Sequence, residues 1–219
     1  LHGFTLTPVA RALGLSGEAA PGVMIVGGTS LGSQLGAVLH NLDVPAVISD
    51  TNHRNLRSAR DLGLPVFYGD VLSEAAEYIL ELHKYDHIVA LSENEAYNTL
   101  VTTDLAPEFG RNNVYQIQRD REHSSRHELP TTLGGRVFMD GETYSSSLDK
   151  ILSDWRMSVT RISDAYPLER FQNDRPQAVI IATLDEKAQL KFVPNLDKLS
   201  IADGVRVIHF SPPLSAHTD

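Results

Sequence analysis

The sequence predicts an α/β protein: a doubly wound parallel sheet followed by a small β-rich C-terminal unit. Three observations carry this. Short apolar runs alternate with stretches of helical spacing from Gly22 to Gln118, the first run ends in a glycine turn that opens a helix, and the alternation stops after Gln118. Five strands alternating with four helices imply right-handed crossovers, parallel strands and helices on both faces. The chain has 219 residues, 42% of them hydrophobic, enough for one large domain or one domain with an appendage.

Residues 1–20 are apolar-leaning, with Leu6, Val9, Ala10 and Leu13 at helical spacing. Val23-Met24-Ile25-Val26 is a continuous apolar run ending in glycine, as expected of a strand buried on both faces. Residues 30–41 follow with Leu31, Leu35, Val38 and Leu39 on one helical face. The pattern then predicts a strand over 44–49, a helix over 52–62, a strand over 65–68 and a helix over 73–83. A strand over 87–91, a helix over 93–109 and a strand over 113–118 complete it.

Residues 119–135 are charged and then rich in Pro, Thr and Gly, the composition of a linker. Beyond it, 147–154 reads as a short helix, and 157–162, 178–184, 189–193 and 205–210 read as strands. The expected organisation is a connecting segment (1–20), a sheet domain (21–119), a linker (120–135) and a β-rich domain (136–219). The tail from Ser211 holds two prolines and is expected to fray.

Composition excludes several function classes. Lys plus Arg is 19 against 28 for Asp plus Glu, a formal net charge of −9. With no basic stripe, nucleic-acid binding is not expected. The absence of cysteine removes disulfides, thiolate metal sites and thiol nucleophiles. His123 and His127 are four apart, but Pro130 follows and no third ligand offers itself, so a solvated linker is the expectation and no metal is assigned. The chain starts at Leu1, with no signal-peptide pattern and no apolar run near the roughly 20 residues of a spanning helix. A soluble piece of a longer protein is the expectation.

The first turn of the sheet reads Gly27-Gly28-Thr29-Ser30-Leu31-Gly32. A dinucleotide fingerprint wants glycine for the tight turn, for backbone approach to a diphosphate and for helix–strand packing. Gly27 and Gly32 meet the outer two needs, and Thr29 stands at the middle place. Ser30 could cap the helix or donate to a phosphate. Asp50 closes the second strand, 23 residues after Gly27, where a carboxylate accepts ribose hydroxyls and repels a 2′-phosphate. That favours NAD or a plain adenosine nucleotide over NADP, although Arg54 and Arg57 follow on the next helix. The competing explanation is that the glycines merely make a turn and Asp50 caps the helix behind it.

With Gly69-Asp70 after strand three and Ala90-Leu91-Ser92-Glu93-Asn94-Glu95-Ala96-Tyr97-Asn98 after strand four, residues 22–118 resemble a known family. It is the N-terminal, Rossmann-like domain of regulators of potassium conductance (RCK), also called the Trk-type nucleotide-binding domain. The resemblance implies an adenine nucleotide, NAD(H) or AMP, ADP or ATP, lying across the carboxyl ends of the strands. Gly27, Gly28, Thr29, Ser30 and Leu31 would line its phosphates, Asp50 and Thr51 its ribose, and Asp70 and Val71 its adenine. Ser92, Glu93 and Asn94 would cover the other side. The family places glycine where Thr29 stands and a basic residue where Ser30 stands, departures that weigh toward AMP or ADP.

The opening LHGFTLTPVARALGL resembles the stretch closing the membrane domain of sodium/proton antiporters. The stretches 191–194 and 199–208 resemble the family's C-terminal β-domain. The implied protein is a cytoplasmic regulatory module of a monovalent-cation/proton antiporter, acting as a homodimer and not as an enzyme. Two other classes compete. Gly27-Gly28-Thr29-Ser30 also resembles the opening of short-chain dehydrogenases. Those need a Tyr with Lys four residues on, and none of Tyr78, Tyr85, Tyr97, Tyr144 and Tyr166 has one. A ligand-free dimerisation module is the third class, with Leu100, Val101, Leu105 and Phe109 as its apolar stripe.

Overall fold

The computed structural model describes residues 21–118, 133–193 and 201–213. The segment 1–20, His123, His127 and the tail from residue 214 lie outside them. The apolar run after Pro21 forms β1 (Gly22–Val26), every residue of it buried. It is joined by β2 (Ala46–Asp50), β3 (Val66–Tyr68), β4 (Tyr85–Ala90), β5 (Val114–Gln118) and β6 (Arg136–Thr143). Together they make one six-stranded parallel sheet in the order β3-β2-β1-β4-β5-β6.

Helices cover both faces, as the alternation predicts. α1 (Ser30–Asn41) and α2 (Arg57–Asp61) lie on one face, where Leu31, Leu35, Leu39, Leu56 and Ala59 join Val23, Ile25 and Ile48 in the core. α3 (Glu74–Leu80), α4 (Glu95–Asp104) and α5 (Ala106–Phe109) lie on the other, with Ala76, Leu80, Val101, Leu105 and Phe109 packed on Met24, Val26 and Ile88. α1 comes close to the sheet at Gly36, where a Cβ would stand 2.7 Å from the Ile48 side chain.

Three expectations are corrected. The helix expected over 93–109 divides at Leu105, because Pro107 has no N–H to continue the ladder. The helix expected over 52–62 begins only at Arg57. Local acceptors divert its first donors: Asp50 Oδ1 takes the Asn52 N–H at 2.7 Å and Asn52 Oδ1 takes that of Arg54 at 3.0 Å. Finally, residues 136–143, assigned to the second unit with no strand expected there, form β6 and pair with β5, Gln116 opposite Val137 and Ile117 opposite Phe138. The sheet thus extends past the expected boundary at residue 119. A register shift and positive φ at Met139 (59°) and Gly141 (82°) break the strand's alternation.

After α6 (Tyr144–Leu152) comes a four-stranded antiparallel sheet of β7 (Arg156–Arg161), β8 (Val179–Leu184), β9 (Leu190–Phe192) and β10 (Arg206–Ser211), in the order β7-β10-β8-β9. A helix that the sequence reading did not mark, α7 (Leu168–Asp174), connects β7 to β8. The two sheets share one core. Phe192 packs on Tyr115 at 4.9 Å and Phe138 at 5.8 Å between ring centroids, and Gln34 of α1 accepts the Met157 N–H at 2.8 Å.

Beneath α7, His209 of β10 has 0% exposure. Its ring nitrogens lie 3.0 Å from Thr160 Oγ1 and 3.1 Å from Ser211 Oγ, and Phe171 stacks edge-on. Arg175 binds Ser211 Oγ at 3.0 Å. Burial first, then the Arg175 charge, lowers the His209 pKa from 6.5 to about 4. The folded state therefore holds the ring neutral, while the unfolded chain takes up a proton below pH 6.5. Stability from His209 is complete above that pH and is lost as pH falls toward 4. It amounts to about 3 kcal/mol at about 1.4 kcal/mol per pKa unit. Urea unfolding from pH 7 to pH 4 should show a shallower loss in His209→Gln than in wild type, and equal slopes would refute the assignment.

Candidate functional site

In an open parallel sheet the ligand crevice lies where strand order reverses, at the carboxyl ends of the strands. Here that point falls between β1 and β4. The Gly27 N–H bonds Ser49 O at 2.7 Å, and Leu91 N bonds Val26 O at 2.7 Å, so the loops after β1 and β4 leave the sheet side by side. Gly27 has φ 119°, and a Cβ on it would stand 2.6 Å from Ser92 N. Only glycine fits there. Gly32 was expected to serve helix–strand packing. Its missing Cβ would overlap the Gly27 carbonyl and stand 3.3 Å from Ile25 Cγ2 of β1, so it serves both the turn and the packing on β1, and Gly36 adds a second close approach.

Asp50 organises the turn. Its carboxylate, 9% exposed, accepts Gly28 N at 2.8 Å and Asn55 Nδ2 at 3.1 Å on Oδ2, and Asn52 N at 2.7 Å on Oδ1. Residues 52–56 thereby fold back over the glycines. A Cβ on Gly28 would meet Leu56 Cδ2 at 2.9 Å and the Asn55 carbonyl carbon at 3.0 Å. Thr51 is exposed at the start of this turn.

Thr29, not Ser30, caps α1. Its Oγ1 accepts the Gly32 N–H at 3.2 Å and its hydroxyl reaches Leu91 O at 3.4 Å, binding the helix start to the end of β4. Ser30 is the first helical residue and is exposed, while the Leu31 side chain is in the core. The first-turn N–H groups of Ser30 and Leu31 have no intrahelical partner. They are the backbone donors this turn has to offer an anion.

The other predicted residues divide. Asp70 Oδ1 accepts the Tyr97 hydroxyl at 2.7 Å and the Leu72 N–H at 3.0 Å, a bridge from the end of β3 to α4. Burial, then Asp70, drives the Tyr97 phenol well above its ordinary pKa. The Val71 side chain is turned into the core. Asn94 caps α4, accepting the Tyr97 N–H at 3.0 Å. Glu93 is exposed.

Four residues of this region were not in the expected set. Asn98, almost fully buried, clamps Ser92: its Oδ1 lies 2.6 Å from Ser92 Oγ and its Nδ2 donates to Ser92 O at 2.8 Å. Asn55 and Tyr97 are described above. Tyr144 opens α6, and its phenol is raised by burial first and then by the charges of Glu93 and Asp50. The spacing of Asn98 after Ser92 was a readable signal, whereas the approach of Tyr144 depends on β6. Among the described residues, no group of three His, Asp or Glu could hold a metal ion. No helix among them is long and apolar enough to cross a membrane.

Residues 23–132 match the family model of the TrkA-N domain. The chain belongs to the TrkA-N family. The resemblance read from the glycine turn, Asp50, Gly69-Asp70 and the opening of α4 falls within that match. No curated protein matches this TrkA-N chain. Solved structures similar to it are the RCK domain of GsuK (TM-score 0.44, 13% identity, covering 88% of this chain and 44% of that one) and the GsuK channel bound to NAD (0.44, 13%, 88% and 36%). The GsuK channel is a third (0.44, 14%, 89% and 37%). The TrkA-N chain therefore spans less than half the length of these proteins.

The capping role of Thr29 sets a test. Thr29→Ala should lower stability by about 1 kcal/mol, as loss of an N-cap oxygen does, while Thr29→Ser should stay within a few tenths. Urea denaturation of the three proteins checks this, and an unchanged Thr29→Ala midpoint would remove the cap from the account.

Proposed function

We propose that this TrkA-N chain is the regulatory nucleotide-binding part of a monovalent-cation/proton antiporter. It takes an adenine nucleotide, NAD(H) or an adenosine phosphate, and acts on the cytoplasmic side as a homodimer, by binding and not by turnover. The observation that carries the reading is the glycine turn held against a strand-end carboxylate at the switch point, with Gly28 N 2.8 Å from Asp50 Oδ2. The donor set fits a nucleoside phosphate: Asp50 to accept ribose hydroxyls, and the N–H groups of Ser30 and Leu31 for a phosphate. On binding, the nucleotide would supply a ligand and no chemistry.

Charge refines the choice. Asp50 ends β2, Asp70 and Glu93 lie in the loops after β3 and β4, and Ser30 stands where the resemblance expects a cation. Each added phosphate meets this acidic surroundings, so AMP, ADP and NAD(H) are favoured over ATP. The antiporter assignment rests on the resemblance of residues 1–15. For the homodimer, Leu100 is 54% exposed on α4 and Tyr78 and Ile79 are 86% and 64% exposed on α3, two helices of one face of the sheet. Val101, Leu105 and Phe109 of the same expected stripe pack on the sheet instead. Regulation follows by linkage: a nucleotide that binds one dimer arrangement better shifts transport by that difference, typically about 1–3 kcal/mol.

Thermal unfolding with millimolar AMP, ADP, ATP, NAD and NADP tests the reading. A nucleotide at a hundredfold excess over Kd stabilises by about 2.7 kcal/mol. Asp50→Asn, which keeps an acceptor oxygen but loses the charge, should bind about ten- to a hundredfold more weakly. If no nucleotide raises the wild-type unfolding temperature, or alters transport by the full-length antiporter, the proposal fails.

A further inference from the structure

Asp50 offers about four lone-pair positions, and three are already taken by Gly28 N, Asn52 N and Asn55 Nδ2. A ribose diol asks for two acceptor positions, one more than the described residues leave free. The three present donors differ in how readily they leave. The Gly28 N–H belongs to the turn fixed between β1 and Ser92, and the Asn52 N–H to a local turn closed by Asp50 itself. Asn55 gives only a side-chain carboxamide, on a half-buried residue, at the longest of the three distances.

Position supports the same conclusion. The Asn55 carbonyl carbon and oxygen stand 3.0 and 3.1 Å from the place a Cβ would take on Gly28. The Asn55 backbone thus lies over the turn, and its side-chain Nδ2 reaches Asp50 Oδ2, the acceptor a sugar would use. Leu56 beside it is fully buried in the core and holds the turn down. The side chain of Asn55 can swing away while Leu56 stays.

We propose that Asn55 is an internal competitor of the ribose: its carboxamide occupies the acceptor position on Asp50 that a nucleotide's diol takes, so that binding exchanges one for the other and Asn55 sets the affinity. This rests on the nucleotide reading above and deepens it. The Asn55 amide imitates one hydroxyl donor. The ligand it screens for is one that presents two, a ribonucleoside with both hydroxyls free.

The test is calorimetric titration of the folded wild type and Asn55→Ala with AMP, NAD and 2′,3′-dideoxy-AMP. Removing the competitor should tighten AMP and NAD about tenfold, equivalent to about 1.4 kcal/mol, and leave dideoxy-AMP unchanged. An equal gain for all three ligands would assign Asn55 a merely steric role and overturn the proposal. So would no gain for AMP. If neither protein binds any nucleotide, the pocket reading itself fails and this inference with it. A parallel measurement needs no variant: in wild type, the Asn55 side-chain amide NMR signals should move on saturation with AMP and stay in place with dideoxy-AMP.

Discussion

A carboxylate at the end of a buried strand has to find donors, and the way Asp50 finds them shapes the whole switch point. A charge with so little exposure is tolerable only when hydrogen-bonded. Its side chain reaches sideways to Gly28 after β1 and forward to Asn52 and Asn55. Its own carbonyl accepts Gly69 N from the end of β3. One residue thus joins the ends of three neighbouring strands. Asn52 N is taken by the carboxylate, and turn bonds run from Asn55 N to Asn52 O and from Arg57 N to Arg54 O. The following helix starts at Arg57, and Leu56 is in the core beside Gly28.

The same constraint explains why α1 is the shared wall of the molecule. Its first residue follows the turn that Asp50 fixes, and Thr29 ties that end to Leu91. One helical turn later Gln34 accepts the Met157 N–H, and the core on this face runs without interruption into Ile181, Phe192 and Phe210 of the second sheet. A shift of α1 along its axis has to carry Met157 with it or break that bond. The glycine turn and the antiparallel sheet are thus joined to one and the same helix.

The doubly wound core was legible because its strands are buried on both faces and read as unbroken apolar runs, Val23 to Val26 above all. β6 was not, since only Phe138, Met139 and Glu142 of its eight residues are buried and a bulge interrupts its alternation. α7 was missed for a related reason: among its seven residues Phe171 alone is buried, which leaves no helical period to detect. At the site, the positions of Gly27 and Asp50 were readable from spacing. The partners of Asp50 were not, because an Asn at position 55 looks like any helix residue until the delayed start of α2 places it in a turn. Val71 packs its side chain in the core, because an apolar residue after Gly-Asp is drawn to the sheet face.

The glycines themselves are weaker witnesses to a ligand than the motif suggests. Gly27, Gly28 and Gly32 are each required by a protein atom, Ser92 N, the Asn55 and Leu56 atoms, and the Gly27 carbonyl. A turn so packed would need its glycines even with nothing bound. What separates a binding site from a tight turn is therefore the hydrogen-bonding capacity left over: one acceptor position on Asp50 and the first-turn donors of Ser30 and Leu31. Among the described residues that remainder is small on the phosphate side, two N–H groups, and larger on the sugar side once Asn55 moves. Selectivity at such a site follows the sugar before the phosphate, the reverse of a glycine loop that cradles a diphosphate with its backbone.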